Sequence, residues 1–424
     1  MQMQLEQKLV TGSYDAVLSQ LYGNEKLDWA KKRCSEVLTG FNKSFGNHAE
    51  ALFSAPGRTE LGGNHTDHQH GRVLAAAINL DLLAAAAPNQ SGMIRIQSQG
   101  YPLAVVDLSD LTPQPEETGT STALIRGVAA RFRELGCPLE GVGLDAYVLS
   151  NVPGGSGLSS SAAYEVLVGT MLNHLFWSGS RTAVEIAQIG QYAENVFFGK
   201  PCGLMDQTAS SVGSVVAIDF KDTTHPVVEQ VPLDFGATGY ALCILDSGAG
   251  HADLTEEYAS ITNELKAVCR FFGKEFLRDV PHADFIAALP EVRKIVGDRG
   301  ILRAFHFYAE NQRAAAQAQA LKDGNFDEFL HLVRESGKSS AMYLQNVVPT
   351  GQTTCQELML TIALCEDILG GQGAVRVHGG GFGGTAQAFV PTELLAEFKE
   401  RTEAVLGQGS CHVLSIRPVG GILL

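Results

Sequence analysis

The sequence predicts an α+β fold arranged in two domains, on three observations. Its 424 residues exceed the roughly 250 to 300 at which a single core stops growing. A content of 45% hydrophobic and 18% charged residues supplies apolar material for sizeable cores and excludes a largely disordered chain. Helical and strand-like patterns mix along the chain without a regular βαβ rhythm, which favours α+β over a doubly wound sheet.

Taken in order, apolar spacing assigns helices to Ser121–Leu135 and Leu158–Phe176, on either side of Gly143–Ser150, which alternates like a half-buried strand. Arg181–Phe198 reads as another helix, and the short apolar runs Val215–Phe220 and Tyr240–Leu245 read as strands. The charge-rich Lys221–Glu229 between those runs reads as a connection, which places the domains at 1–225 and 226–424. Beyond it, helical patterns at Leu254–Phe272, Ile301–Lys322, Phe326–Ser336 and Cys355–Leu369 precede the strands Ala374–His378 and Thr385–Val390. A helix at Thr392–Leu406 and a strand at His412–Ile416 close the chain, which carries no internal repeat.

Charge narrows the partners. Lys plus Arg total 31 against 46 Asp plus Glu, a net −15, and neither nucleic acid nor an anionic membrane is expected on such a surface. Met1–Val10 lacks the basic and apolar regions of a secretory signal. The most apolar stretch, Val73–Ala87, is interrupted by Asn79 and Asp81 and falls short of the ~20 residues a bilayer requires, so no membrane span is expected. Eight scattered cysteines without a CxxC pair read as buried thiols in a reducing cytoplasm. Oligomeric state leaves no mark in the sequence.

Several apparent motifs dissolve on their context. Asp234-Phe235-Gly236 spells a kinase triplet without the catalytic loop that must accompany it. Gly379, Gly381 and Gly384 satisfy GxGxxG, but a strand follows where a dinucleotide site needs a helix. His65, Asp67, His68 and His70 crowd one short stretch and have no distant partner ligands. Gly337-Lys338-Ser339 lacks the upstream glycine of a P-loop, since position 332 is Leu.

Three segments carry chemistry. Val152 to Ala162 follows a strand and opens a helix; Gly154, Gly155 and Gly157 permit close backbone approach, and Leu158, Ser159, Ser160 and Ser161 lead into a positive helix end. That is an anion cradle suited to phosphate. Pro56 to His68 is dense in side chains that fork to hydroxyls or phosphate, and Gly199 to Gln207 places an Asp on a glycine-bounded loop after a helix.

From about residue 40 to its end the chain resembles the galactokinase branch of the GHMP sugar and small-metabolite kinases, through Gly157-Leu158-Ser159-Ser160-Ser161-Ala162, Met205-Asp206-Gln207, the glycines at 379–384 and Arg58 with Asn64-His65-Thr66-Asp67. The resemblance implies a two-domain GHMP kinase fold, with an N-terminal domain like ribosomal protein S5, a ferredoxin-like C-terminal domain, and sugar and MgATP meeting in the cleft. It implies Asp206 as catalytic base and Arg58 as the cation facing it. Asn64, His65, Asp67, Gly203 and Tyr258 fall at sugar-binding positions, and Ser161 with Glu194 on the Mg²⁺ side of the ATP phosphates. The implied activity is phosphorylation of galactose at its anomeric hydroxyl.

One departure bears on the sugar. The family's usual GEHTDY has its Glu against the C6 hydroxyl, and here Asn64 and His68 replace Glu and Tyr. An amide can serve a neutral hydroxyl or donate to a carboxylate. Plant galacturonate kinases likewise lack the acid and have a His-Gln pair, as at His68-Gln69. Galacturonate is therefore the alternative acceptor. A sensor that binds sugar and ATP without turnover is a further alternative, opposed by the complete serine cradle and Asp206.

Overall fold

The alanine-rich run from 73 to 87 is too apolar to border water and has to be covered on both faces. A computed structural model of the chain, which describes every residue except Met1, Gly155, Ser156, Pro201 and residues 251–253, shows how this is done. Helices α1 (Gln2–Val10), α2 (Asp15–Tyr22) and α3 (Leu27–Phe45) open the chain. Strands β1 (Ala51–Gly62), β2 (Arg72–Asn89), β3 (Met93–Ser98) and β4 (Ala104–Asp107) follow. Then come α4 (Ser121–Glu134), β5 (Gly143–Ser150), α5 (Ser160–Phe176), α6 (Ala183–Ala193), α7 (Met205–Val212), β6 (Val215–Asp219) and β7 (Val227–Val231). The second half runs β8 (Tyr240–Asp246), α8 (Thr255–Phe271), α9 (His282–Ala287), α10 (Leu289–Lys322, interrupted at Gly297), α11 (Phe326–Ser339) and α12 (Glu357–Leu369). It ends with β9 (Ala374–His378), β10 (Thr385–Pro391), α13 (Leu395–Leu406), β11 (Cys411–Leu414) and β12 (Ile422–Leu423).

The eight-stranded sheet is ordered β12-β1-β2-β5-β3-β4, with β6 added to β2 and β7 to β6. β2 pairs with β1, with β5 through Leu82–Asn89 and with β6 through Arg72–Ala76, so one long strand serves three neighbours. Its alternate residues divide the covering helices by the period-2 rule. Leu83, Ala85 and Ala87 pack into the cluster of α1 to α3, while Ala84 and Ala86 pack into that of α4 and α5. Alanine at these places lets both helical layers approach closely.

The smaller sheet, β11-β8-β10-β9, is antiparallel throughout. Cys243, Leu245, Ala388 and Val390 turn toward α12 and α13, whereas Leu242, Ile244 and Phe389 join the buried cluster that holds Phe53 and Leu74 of the larger sheet. A single continuous core therefore joins the two sheets. The larger sheet also draws strands from both sides of residue 225, since β7 and β12 belong to it. Lys221–Glu229, read as a connection, contains the start of β7: Asp222 accepts from the amides of Thr224 (2.9 Å) and His225 (3.2 Å), an Asx turn that reverses the chain onto β6. Among the described residues no helix is long and apolar enough to cross a membrane.

Asp81, in the middle of β2, is fully buried and accepts from Tyr22 Oη (2.5 Å), Arg33 Nη1 (2.8 Å), Arg417 Nη1 (3.3 Å) and Ser54 Oγ. Burial alone would raise its pKa; the two guanidiniums prevail and hold it below the ordinary carboxylate value. The carboxylate thus fixes the N-terminal helices and the C-terminal segment to the central strand. Removing one member of a buried charge cluster leaves the others uncompensated, so Asp81→Ala is expected to destabilise the protein by about 3–5 kcal/mol in urea denaturation. In the wild type this contribution is complete above the unfolded pKa of about 3.9 and is lost as pH falls through the lower folded value.

Candidate active site

The site begins at an irregularity in β1. Its register with β2 slips between Pro56 and Arg58, and such a bulge re-aims the following side chain. Gly57 lies against the cradle so closely that a Cβ there would fall 2.8 Å from the Leu158 carbonyl, to which the Arg58 amide donates (3.1 Å). The Arg58 side chain is 6% exposed and forks onto Asp206, Nε to Oδ1 at 2.7 Å and Nη2 to Oδ2 at 2.8 Å. Its Nη1 donates to the carbonyl of Gly157.

Asp206 stands in the first turn of α7, where the helix dipole favours a negative charge. It also accepts from Ser159 Oγ at 2.5 Å. Burial acts to raise its pKa; the Arg58 charge, the Arg58 and Ser159 hydrogen bonds and Lys200 outweigh it and hold the carboxyl below its usual value. The group is an ionised acceptor at neutral pH.

The cradle runs from the end of β5 into α5. Gly157 (φ 70°) and Ser159 (φ 54°) both take the left-handed conformation, and this delays the start of the helix to Ser160, two residues after the predicted start at Leu158. Leu158 is buried and anchors the loop, Gly154 is exposed with open space where a Cβ would stand, and Gly155 lies outside the described residues. Ser160 and Ser161 occupy the first helical turn, whose amides have no partner within the helix. Ser161 Oγ donates to Glu194 Oε1 at 3.5 Å; Glu194 begins the π turn Glu194–Phe198 that continues α6. Behind them Gln207 Nε2 donates to both Glu194 Oε2 (2.8 Å) and Glu165 Oε2 (2.9 Å). Glu165 Oε1 is buried with no partner among the described residues, and burial followed by the Glu194 charge raises this carboxyl well above its ordinary value. Ser161 Oγ and the Glu194 carboxylate offer oxygen to a hard divalent cation, with Lys200 Nζ 3.7 Å from Glu194 Oε1 and Cys202 Sγ 3.7 Å from Gln207 Nε2 beside them; among the described residues no three acidic, His or Cys side chains cluster as a metal site.

The second group gathers around the loop after β1. A Cβ on Gly203 would fall 2.0 Å from Asp67 Oδ2, so the Gly203 backbone and the Asp67 carboxylate share one small space next to α7. His65 Nε2–H donates to the Gly380 carbonyl at 2.9 Å; burial, reinforced by His68, lowers its pKa to about 4 and keeps it neutral. Tyr258, on α8, donates from its hydroxyl to the Gly381 carbonyl at 3.0 Å and meets Phe382 edge-on. The structure thus joins Arg58, Asp206 and Ser159 in one hydrogen-bonded unit, sets Asp67 against Gly203 beside α7, and places His65 and Tyr258 on carbonyls of the glycine loop.

Asn64, expected at a sugar-binding position, makes hydrogen bonds within the protein on both sides of its amide. It is fully buried, its Nδ2 donating to the Gly379 carbonyl (2.7 Å) and to Glu60 Oε1 (3.1 Å), and its Oδ1 accepting from Asn346 Nδ2 (2.8 Å). Glu60 is in turn paired with buried Arg376. Gln69 is likewise structural, its Oε1 accepting from the Leu277 amide at 2.9 Å, and His70 stacks on Phe276 at 3.5 Å. Sequence reasoning missed Glu60, Arg376, Asn346, Gln207 and His378. The available signal was a charged residue inside a short apolar strand, as Arg376 is in Ala374–His378.

The comparisons with known proteins agree with this geometry. Residues 39–88 match the galactokinase galactose-binding signature and residues 123–214 the GHMP kinase N-terminal domain. A galactokinase of Streptomyces coelicolor is 33% identical over 354 residues, spanning 82% of this chain and 87% of that protein. The crystal structure of Lactococcus lactis galactokinase complexed with galactose superposes with a TM-score of 0.78 at 25% identity, over 92% of this chain and all of that one. The mevalonate kinase of Methanococcus jannaschii, 14% identical, shares the fold with a TM-score of 0.61 over 86% of this chain and 98% of its own.

The placement of Asn64 has a measurable consequence. Asn64→Glu would set a second carboxylate against Glu60, where like charges near 4 Å repel by roughly 4 kcal/mol at an effective dielectric of about 20. The variant is expected to lose about 2–4 kcal/mol of stability in chemical denaturation. An unchanged midpoint would place Asn64 in contact with solvent or sugar.

Proposed function

The chain belongs to the galactokinase family, and on that premise we propose that it transfers the γ-phosphoryl group of ATP to the anomeric hydroxyl of galactose, giving galactose 1-phosphate and ADP. It is an ATP-dependent sugar kinase. The observation that carries the finer reading is the single hydrogen-bonded unit Asp206–Arg58–Gly157, which connects a proton acceptor, a fixed cation and the phosphate cradle.

In this reading the anomeric oxygen attacks the γ-phosphorus, its proton passes to an Asp206 carboxylate oxygen, and the bond to the ADP oxygen breaks. Asp206 is suited to the task because it is already ionised, and Ser159 and Arg58 fix its orientation. Phosphoryl transfer asks little covalent chemistry of a protein beyond in-line positioning and charge stabilisation. The amides of the first turn of α5 and the guanidinium of Arg58 provide both. Ser161 and Glu194 are the oxygen donors that would hold Mg²⁺, which would supply charge neutralisation on the phosphates. Asp67, the Gly203 backbone, His65 and Tyr258 would bind the sugar hydroxyls, with His65 offering only a neutral imidazole.

Galacturonate is the second acceptor; Asn64 and Gln69 both bond within the protein, which favours galactose in this reading. All eight cysteines are free, which agrees with a reducing compartment, and we place the reaction in the cytoplasm.

A coupled ADP-release assay over galactose, galacturonate, N-acetylgalactosamine, arabinose and glucuronate is expected to give the highest kcat/KM with galactose. Binding without turnover on any sugar would indicate a sensor. Asp206→Asn should keep both ligands bound while kcat falls by at least ~10²-fold. Arg58→Lys keeps the charge but loses the planar fork, and should lower kcat more than it changes KM. A kcat near wild type in either variant would remove that residue from the chemistry.

A further inference from the structure

We propose that His378 is a positioning residue for phosphoryl transfer, a strut in the smaller sheet that sets both the phosphate cradle and the strand carrying Arg58. The inference rests on the kinase reading above and adds a residue that touches neither sugar nor the base.

His378 is the last residue of β9, directly before the glycine loop, and is 2% exposed. Each ring nitrogen has one partner. Nε2 is hydrogen-bonded to Thr59 Oγ1 at 3.0 Å, on the residue next to Arg58, and Nδ1 to Thr385 Oγ1 at 2.9 Å, on its cross-strand neighbour in β10. Thr59 Oγ1 also accepts from Gln387 Nε2 at 2.7 Å. A Cβ built on Gly157 would lie 3.3 Å from both His378 Nδ1 and Thr385 Oγ1, so the cradle backbone rests on this pair. The Gly157 carbonyl is meanwhile held by Arg58. The imidazole therefore links three segments that must stay in register: β1 at Arg58, the cradle at Gly157, and the glycine-loop strands.

Electrostatics suits the ring to the place. Burial first, then the guanidiniums of Arg58 and Arg376, lower its pKa far below the ordinary range, so it carries no charge. A neutral imidazole offers one donor and one acceptor, which matches two hydroxyl partners. An apolar ring of similar shape would leave both hydroxyls in a buried site without this partner. Thr59 would then be held next to Arg58 by Gln387 and the β2 ladder without the imidazole, and displacements near 1 Å in a catalytic array cost on the order of 10²-fold in rate.

The test compares wild type, His378→Phe, His378→Gln and Thr59→Val. His378→Phe keeps the shape and removes both hydrogen bonds; kcat is expected to fall at least ~10-fold and KM for ATP to rise several-fold, with the calorimetric Kd for galactose within about twofold. His378→Gln keeps a neutral donor and acceptor and should recover most of that loss. Thr59→Val removes the Nε2 contact together with the one from Gln387, leaves the Nδ1 contact to Thr385 in place, and should reproduce much of the fall in kcat, which keeps the test open if the Phe variant does not fold. Wild-type kcat and ATP KM in the Phe variant, or in Thr59→Val, would overturn the proposal. So would a Gln variant no better than Phe, or an equal loss of galactose and ATP affinity, either of which marks simple packing. Failure of wild type itself to release ADP with any sugar would instead overturn the kinase reading.

Discussion

The structure depends on one buried cation. Arg58 keeps only 6% of its surface, and an unpaired guanidinium so placed would be prohibitively unfavourable. Its compensation comes from two other parts of the chain: two oxygens of Asp206 at the start of α7, and the carbonyl of Gly157 ahead of α5. The bulge in β1, the left-handed turn of the cradle and the first turn of α7 are therefore held in one arrangement by electrostatic necessity. The same arrangement presents a proton acceptor, a cation and a row of free amides to one space. Requirements of stability and of chemistry coincide there, which explains why the bulge is tolerated in a strand whose register slips again between Glu60 and Gly62.

A second polar layer ties the smaller sheet to this unit. The two sheets share an apolar core, but along β1 the contacts become polar: Glu60 with Arg376, Thr59 with His378 and Gln387, Asn64 with the Gly379 carbonyl and Asn346. Apolar contacts alone would hold the sheets together without fixing their offset, whereas directional hydrogen bonds in a medium of low dielectric fix it. The glycine loop at 379–384 is consequently braced from beneath by Asn64 and His65 and from above by Tyr258.

Much of the architecture was legible in local pattern. Gly143–Ser150 and Ala374–His378 coincide with observed strands, although both are covered on the two faces where the first was read as half-buried. Patterns failed where tertiary pairing decides. Val227–Val231 has four of its five residues at least partly exposed, and it is a strand because an Asx turn folds it back onto β6. The helix read as Arg181–Phe198 breaks into α6 and a π turn that shifts the direction of Glu194, a change invisible to 3.6-residue spacing.

The sequence by itself determined the chemistry on offer. The cradle glycines and serines, Asp206 and Arg58 are recognisable because their backbone freedom and functional groups are local properties of the residues at those positions. Only the tertiary structure decided which polar groups face the cleft and which face inward. Asn64 lies within the same motif as His65 and Asp67 and is chemically able to bind a sugar; its amide is satisfied by nearby Glu60 and by Asn346 and the Gly379 carbonyl, which the fold brings from distant parts of the chain. His378 and Arg376 read as residues of an ordinary strand until the packing of the two sheets sets them against Thr59 and Glu60. A side chain's type fixes what bonds it can make, and the fold fixes which partners are within reach to make them.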